Sequence, residues 1–283
     1  MKKPDTLVIS GGSTKVICFS GVFRALFEKG VLDTKLSTIK EIHTLSIGTF
    51  YSYCLLLGFS EKVIYECLIQ SDFKECLDID SVDFNGVIST MGLLSHAQYF
   101  KKIMKTMMNH KFQKKDITLK ELYEYNPIDL YVKCVNISQQ SSIHFNHKTH
   151  PDMSITELLI MTTSLPVLFR PYHYRGDYYI DGGISGNLAI EKIKSKRTLC
   201  IHIKRSLQNL EKEEYPLLGL LLNMCSVSSL SYKKYQKRTI NVVVELSTYD
   251  FNIDREKKDD LIKEAYEKTM KRINDKNFYF TPL

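Results

Sequence analysis

No Cys-x-x-Cys pair occurs in this chain, although cysteines stand at positions 18, 54, 67, 76, 134, 200 and 225. An odd, scattered set argues against a disulfide framework. Several members sit in apolar runs and read as reduced core thiols of an intracellular protein. A secretory leader is not expected either. The opening MKKPDTLVIS has too short an apolar run, and Pro4-Asp5 precedes it. Two uncharged stretches, residues 42–60 and 215–232, approach membrane length, but each holds too many polar groups to read as a span. There is no P-loop, no dinucleotide fingerprint and no nucleic-acid-binding motif. Internal repeats and low-complexity tails are absent as well.

The composition that remains is globular. Apolar residues make up 43% of 283 and charged residues 25%, which suits one large α/β domain or two small ones. The net charge of +7 reads either as a solvated lysine-rich surface or as attraction to an anionic partner such as lipid.

Apolar spacing alternates between two periods. Strands are predicted over residues 6–10, 40–45, 129–137, 174–180, 197–203 and 240–246. The fourth contains a tight Arg175-Gly176-Asp177 turn. Helices are predicted over residues 19–26, with Gly30 as a stop, and over 61–70, 95–108, 155–163 and 259–273. Another begins at Thr118, where Glu121 is spaced for a capping box. The methionines of 95–108 read as core. Residues 77–92 read as loop-rich and 204–214 as a charged linker. Strands alternating with helices imply an α/β sheet with helices on both faces.

Three turns carry candidate chemistry. Gly11-Gly12 follows the first strand, with Lys15 nearby. Such a turn either cradles an anion on backbone amides or simply joins strand to helix. Ser46 lies where the second strand passes into an apolar helix, with Gly48 two residues on. That is a nucleophile elbow lacking its first glycine, or a serine capping a core helix. Asp181-Gly182-Gly183 closes a later strand. It either exposes a carboxylate at the sheet edge or forms an Asx-turn. His144, His147 and His150 cluster in the polar stretch 139–151, yet no Asp/Glu/Cys set completes a metal site. His202 follows Ser46 and Asp181 in triad order, but it sits inside an apolar strand as a structural histidine would.

Taken together and in order, these turns resemble the patatin-like phospholipases. Gly11-Gly12-Ser13-Thr14-Lys15-Val16 is similar to that family's Gly-Gly-Gly-x-Lys/Arg-Gly. Thr44-Leu45-Ser46-Ile47-Gly48 is similar to its Gly-x-Ser-x-Gly, and Asp181-Gly182-Gly183 to its Asp-Gly-Gly. Residues 55–60, 118–123 and 164–171 resemble further family segments. Asn187 sits where the family has Asn-x-Pro, with Ala189 in place of the proline. The offset of residues 55–60 favours Ser46 over Ser52 as nucleophile. Ser13, Val16 and Thr44 depart from the pattern, each standing where the family has glycine.

The resemblance implies a three-layer α/β/α sandwich with a central, mostly parallel sheet. Residues 5–204 would form the catalytic domain. Residues 205–283 would form an extension packed on it: an apolar helix, a strand and an amphipathic helix. It implies a metal-independent lipid acyl hydrolase in which Asp181 takes the proton from Ser46. Amides of Gly11, Gly12 and Ser13 would hold the oxyanion, with Lys15, Gly48, Gly182 and Gly183 in support. No cofactor or metal is implied. The expected partner is phospholipid or another acyl lipid at a membrane surface, with no nucleic acid. The expected location is cytoplasmic, peripheral at membranes. The stretch 215–230 reads either as an interfacial patch or as a helix packed on the core. The rival reading is a lipid-binding pseudoenzyme of the same fold, to which the lost glycines point. A nucleotide-binding module is a more distant rival.

Overall fold

The computed structural model describes residues 3–77, 91–205, 234–247 and 250–280. Most of the loop-rich stretch, the linker, the apolar stretch 215–232 and Cys225 lie outside the described residues. The helices are α1 (Cys18–Glu28), α2 (Ile47–Leu56), α3 (Glu61–Gln70), α4 (Ala97–Phe112), α5 (Leu119–Tyr125), α6 (Ile155–Thr162) and α7 (Arg255–Ile273). The first strands are β1 (Thr6–Ile9), β2 (Glu41–Leu45), β3 (Gly92–Leu94), β4 (Asp129–Asn136) and β5 (Ser141–Phe145). The rest are β6 (Val167–Phe169), β7 (Tyr172–Tyr174), β8 (Asp177–Asp181), β9 (Thr198–Arg205) and β10 (Thr239–Val244).

The most apolar strand takes the middle of the sheet. β1 is buried along its whole length, with β9 on one side and β2 on the other, both parallel to it. A strand covered on both faces needs apolar residues at every position, which explains the unbroken run Leu7-Val8-Ile9. Leu7 and Ile9 join the main core, while Val8 between them packs with Leu188, Ile190 and Tyr235 on the opposite face. Among the described residues the order is β10-β9-β1-β2-β4-β8-β7, with β5 also paired to β4, giving eight strands. β10, β9, β1, β2 and β4 run parallel, whereas β5 and β8 run antiparallel to β4. β3 and β6 form a separate pair. The result is an α/β fold with a mostly parallel central sheet and flanking helices.

The register of β4 places the site. Its residues 129–133 pair with β2, ending at Leu45 opposite Lys133. Its residues 134–136 pair with β8, starting with Asp181 opposite Cys134. β5 occupies the other side of β4, so β2 and β8 share one side and meet end to end. The chain leaving β2 and the chain leaving β8 therefore emerge at the same spot.

Several elements differ in extent from the spacing-based reading. The stretch around Tyr174 is a hairpin of two short strands. Arg175 and Gly176 at its tip both have positive φ, 50° and 89°, the geometry favoured in two-residue hairpin loops. α7 starts at Arg255 because Asp254 caps it, accepting the Lys257 N–H at 2.8 Å. The Thr118–Glu121 capping box forms with both hydrogen bonds in place. The C-terminal segment enters the same sheet, since β10 pairs with β9.

α2 starts close against the sheet, and that closeness requires Gly48. A Cβ there would lie 2.3 Å from the Ser10 carbonyl oxygen and 2.9 Å from Thr44 Oγ1. Gly48→Ala should lower unfolding free energy by about 3 kcal/mol, the upper range for overpacking against backbone. Gly30→Ala, where φ is +63° and no atom lies within 4 Å, should cost about 1 kcal/mol. Urea denaturation of both variants measures the difference, and equal losses would contradict the close-approach account.

Candidate active site

Ser46 adopts φ 51° and ψ −142°, a sparsely populated conformation for a residue with a side chain. It stands in the N-cap position of α2, yet its side chain caps nothing. Its Oγ donates instead to Asp181 Oδ2 at 2.6 Å. The elbow is tied down from α6. The Ser46 N–H donates to Thr162 Oγ1 at 2.8 Å, and that hydroxyl donates to the Lys133 carbonyl at 2.8 Å. Ser52 is remote from this chemistry, fully buried in α2 with its hydroxyl on the Gly48 carbonyl.

Asp181 ends β8, and its N–H donates to the Ser164 carbonyl at 2.9 Å. Its second oxygen, Oδ1, accepts the Gly183 N–H at 2.7 Å. One carboxylate thus closes an Asx-type turn and holds the serine. Of the two readings of this turn, the Asx-turn is the one that forms, and Asp181 is only 5% exposed, because α6 and the elbow cover the end of β8. Burial pushes its pKa up to about 6. Hydrogen bonds from Ser46 and Gly183 and the charge of Lys133 pull the other way.

The glycine loop lies against the serine. A Cβ on Gly11 would come within 3.0 Å of Ser46 Cβ and 2.9 Å of Asn187 Oδ1. The Gly11 N–H donates to Asn187 Oδ1 at 3.1 Å, so this amide is already committed. Ser13 has φ 51°, the left-handed region that glycine enters freely, so serine holds the conformation at a cost of roughly 1–2 kcal/mol. Val16 is buried in the core. Thr44 is fully buried and keeps regular pairing with Ile9 and Val132, so β2 reaches the elbow undistorted. Lys15 is buried and its Nζ donates to the Leu246 carbonyl at 3.4 Å. Gly182 passes over β4 so closely that a Cβ would lie 2.3 Å from the Lys133 carbonyl oxygen.

Ser46 and Asp181 line a cavity of about 610 Å³. Its walls are mostly apolar and include Phe50, Ile64, Leu68, Phe100, Ile103 and Met107 from α2, α3 and α4. The methionines of α4 divide their roles: Met104 and Met108 are core, while Met107 faces the cavity. His96 stands in the wall, its Nε2 2.9 Å from Thr163 Oγ1, with burial holding its pKa down at about 3.

The remaining histidines lie elsewhere. His202 is buried in β9, does not line this cavity, and has a pKa lowered by burial to about 3. His144 lies 3.6 Å from Glu191, His147 pairs with Asp129 and stacks on Tyr123, and His150 bonds Thr149. Among the described residues no three His, Cys, Asp or Glu side chains converge as a metal site would require. Thr162, Ser164 and Lys133 support the site, but the sequence reading did not single out Thr162 or Lys133. The one available signal was Lys133 itself, a charge inside the apolar run of β4.

Known proteins share this architecture. VipD from Legionella pneumophila superposes with a TM-score of 0.67 at 17% identity, covering 96% of this chain and 67% of that one. ExoU from Pseudomonas aeruginosa, in complex with SpcU, superposes at 0.59 with 15% identity; the match covers 98% of this chain but only 54% of ExoU. Probable lipid hydrolase 463L of Invertebrate iridescent virus 6 is 26% identical over 247 residues, 87% of this chain and 80% of its own. Uncharacterized protein R571 of Acanthamoeba polyphaga mimivirus is 23% identical over 95% of this chain and 94% of its own. Residues 7–192, the span that carries the glycine loop, the elbow and the Asp-Gly-Gly turn, match the patatin-like phospholipase family, and the chain belongs to it.

Proposed function

We propose that this protein hydrolyses the carboxylic ester of a phospholipid or other acyl lipid through a Ser46–Asp181 dyad. The observation that carries this reading is the 2.6 Å hydrogen bond from Ser46 Oγ to a buried carboxylate at the wall of an apolar cavity. Asp181 accepts the hydroxyl proton as Ser46 attacks the ester carbonyl. A carboxyl with a pKa near 6 is mostly ionised at neutral pH yet more basic than an exposed one, which suits this task. The apolar cavity accepts the acyl chain. The amides of Gly12 and Ser13, with the N-terminal end of α2, are assigned here as the donors to the developing oxyanion, each such donor being worth about 3 kcal/mol. Gly11 contributes space against Ser46 rather than a donor. Collapse of the tetrahedral intermediate expels the alcohol, and water then releases the fatty acid from the acyl-enzyme. This route calls on no metal or organic cofactor.

The resemblance to a probable lipid hydrolase supports a lipid substrate. No described helix is long and apolar enough to cross a membrane. The net charge of +7 favours contact with an anionic lipid surface. A lipid-binding pseudoenzyme is the second reading. It is favoured by the strained serine at position 13.

The deciding measurement is fatty-acid release from mixed phospholipid vesicles with EDTA present. Wild type should be active, Ser46→Ala and Asp181→Asn should each lose about 1,000-fold or more, and His202→Ala should stay within about threefold. Loss of activity in His202→Ala with retention in Asp181→Asn would refute the dyad. An inert wild type that still binds vesicles and resists fluorophosphonate labelling would establish the pseudoenzyme.

The pH dependence follows from the same carboxyl. The base must be ionised, so kcat/KM should rise through an acid limb near pH 6 and then level off. Because burial raises the folded-state pKa, the stability associated with protonated Asp181 is lost as pH rises through about 6. At pH 8, Asp181→Asn should therefore melt at or above the wild-type temperature. A clear fall in melting temperature would count against a destabilising buried base.

A further inference from the structure

Lys133 is a charged residue in the middle of a sheet, with a side chain 0% exposed. Its place in the register is specific. It pairs with Leu45, the last residue of β2, and precedes Cys134, the partner of Asp181. It thus sits where β2 and β8 meet. Three acceptors surround its Nζ: the carbonyl oxygens of Ser185 and Gly186, both at 3.2 Å, and Glu191 Oε1 at 2.6 Å. An ammonium has three N–H donors, and each has an acceptor here. Burying such a charge costs several kcal/mol even when paired, and an apolar side chain of similar size fills the same space more cheaply.

The acceptors belong to one segment, residues 181–191, and that segment serves both halves of the site. At its start stand Asp181 and the Gly183 N–H that holds Oδ1 of the carboxylate. The Gly186 N–H donates back to the Gly183 carbonyl at 3.0 Å, closing the turn. The next residue, Asn187, accepts the Gly11 N–H and so holds the glycine loop. Other contacts of the segment are the Ser142–Ser185 hydroxyl pair at 2.8 Å and the packing of Leu188 and Ile190. Among the described residues Lys133 supplies the anchor from the sheet to this segment that is charged at neutral pH; His144 of β5, 3.6 Å from Glu191, is kept neutral there by burial, which lowers its pKa to about 4.

We propose that Lys133, braced by Glu191, is a positioning residue that holds the 181–191 segment so that Asp181 and, through Asn187, the Gly11-Gly12-Ser13 loop stay registered on Ser46. This rests on the hydrolase reading above. The Lys133 charge also favours the ionised form of Asp181. Cys134, the other titratable side chain beside that carboxylate, is kept neutral by burial.

The test compares wild type with Lys133→Met and Glu191→Gln on a soluble short-chain ester across pH, alongside melting temperature. Lys133→Met should lower kcat by about tenfold or more with KM within about twofold, and should move the acid limb to higher pH. Glu191→Gln keeps the lysine charge and should lose only about threefold, with the limb unmoved. A folded Lys133→Met with wild-type kcat and limb, or with a changed melting temperature alone, overturns the proposal. If Lys133→Met does not fold, Glu191→Ala decides through the rate of fluorophosphonate labelling of Ser46: slower labelling supports positioning, and an unchanged rate overturns it. If wild type neither turns over ester nor is labelled, the hydrolase reading fails. Carboxyl-carbon NMR titration then still decides the role of Lys133, through whichever lysine variant folds, Lys133→Met or Lys133→Arg. An Asp181 titration displaced upward in Lys133→Met, or displaced at all in Lys133→Arg, supports it, and titrations coincident with wild type overturn it.

Discussion

β4 has one side that two strands must share. β2 takes the first half of it in parallel, and β8 takes the second half in the opposite direction. Two strands that abut end to end leave a gap in the sheet, and the backbone on either side must turn out of it. One turn carries Ser46 and the other carries Asp181. The 2.6 Å hydrogen bond between them is therefore a consequence of strand pairing, joining residues 135 positions apart in the chain. The Thr162 hydroxyl at the end of α6 and the Ser164 carbonyl just beyond it hold the two turns, each by accepting a backbone N–H. The proposed nucleophile and the proposed base both sit at the ends of sheet strands, which is where a constellation needing sub-ångström placement is best supported.

The departures from the family's glycine pattern have separate physical outcomes. At Thr44 the change is absorbed within a regular strand, although it adds a methyl and a hydroxyl beside Gly48. At Val16 the new side chain is used as core. At Ser13 the left-handed backbone is kept in spite of the side chain, a local strain next to the proposed oxyanion site. Only the last of these bears directly on the proposed chemistry, since Ser13 keeps φ in the left-handed region that glycine enters freely.

Low dielectric surroundings decide the chemistry of the ionisable groups. The same burial that raises Asp181 into the range of a useful base depresses His96 and His202 far below neutrality and keeps the core thiols protonated. His96 and His202 are thereby held neutral at neutral pH, while the buried carboxyl is made more basic than an exposed one.

What was legible in the residues alone was local. The apolar runs of β1 and β9, the Thr118–Glu121 capping box, the glycine turn, the elbow and the Asp-Gly-Gly turn all announce themselves within a few positions, because propensity, capping and backbone freedom act over that range. Their order along the chain was enough to indicate the family. The sequence alone thus determined which turns are candidates for chemistry and which side chains they offer. Only the tertiary structure decided that Ser46 meets Asp181 and not His202, that the carboxylate is buried, and that the Gly11 amide is spent on Asn187. It alone showed Thr162 and Lys133 to be part of the site. Each of those facts depends on how distant segments pair across β4, and register between distant strands is set by the whole core rather than by any local pattern.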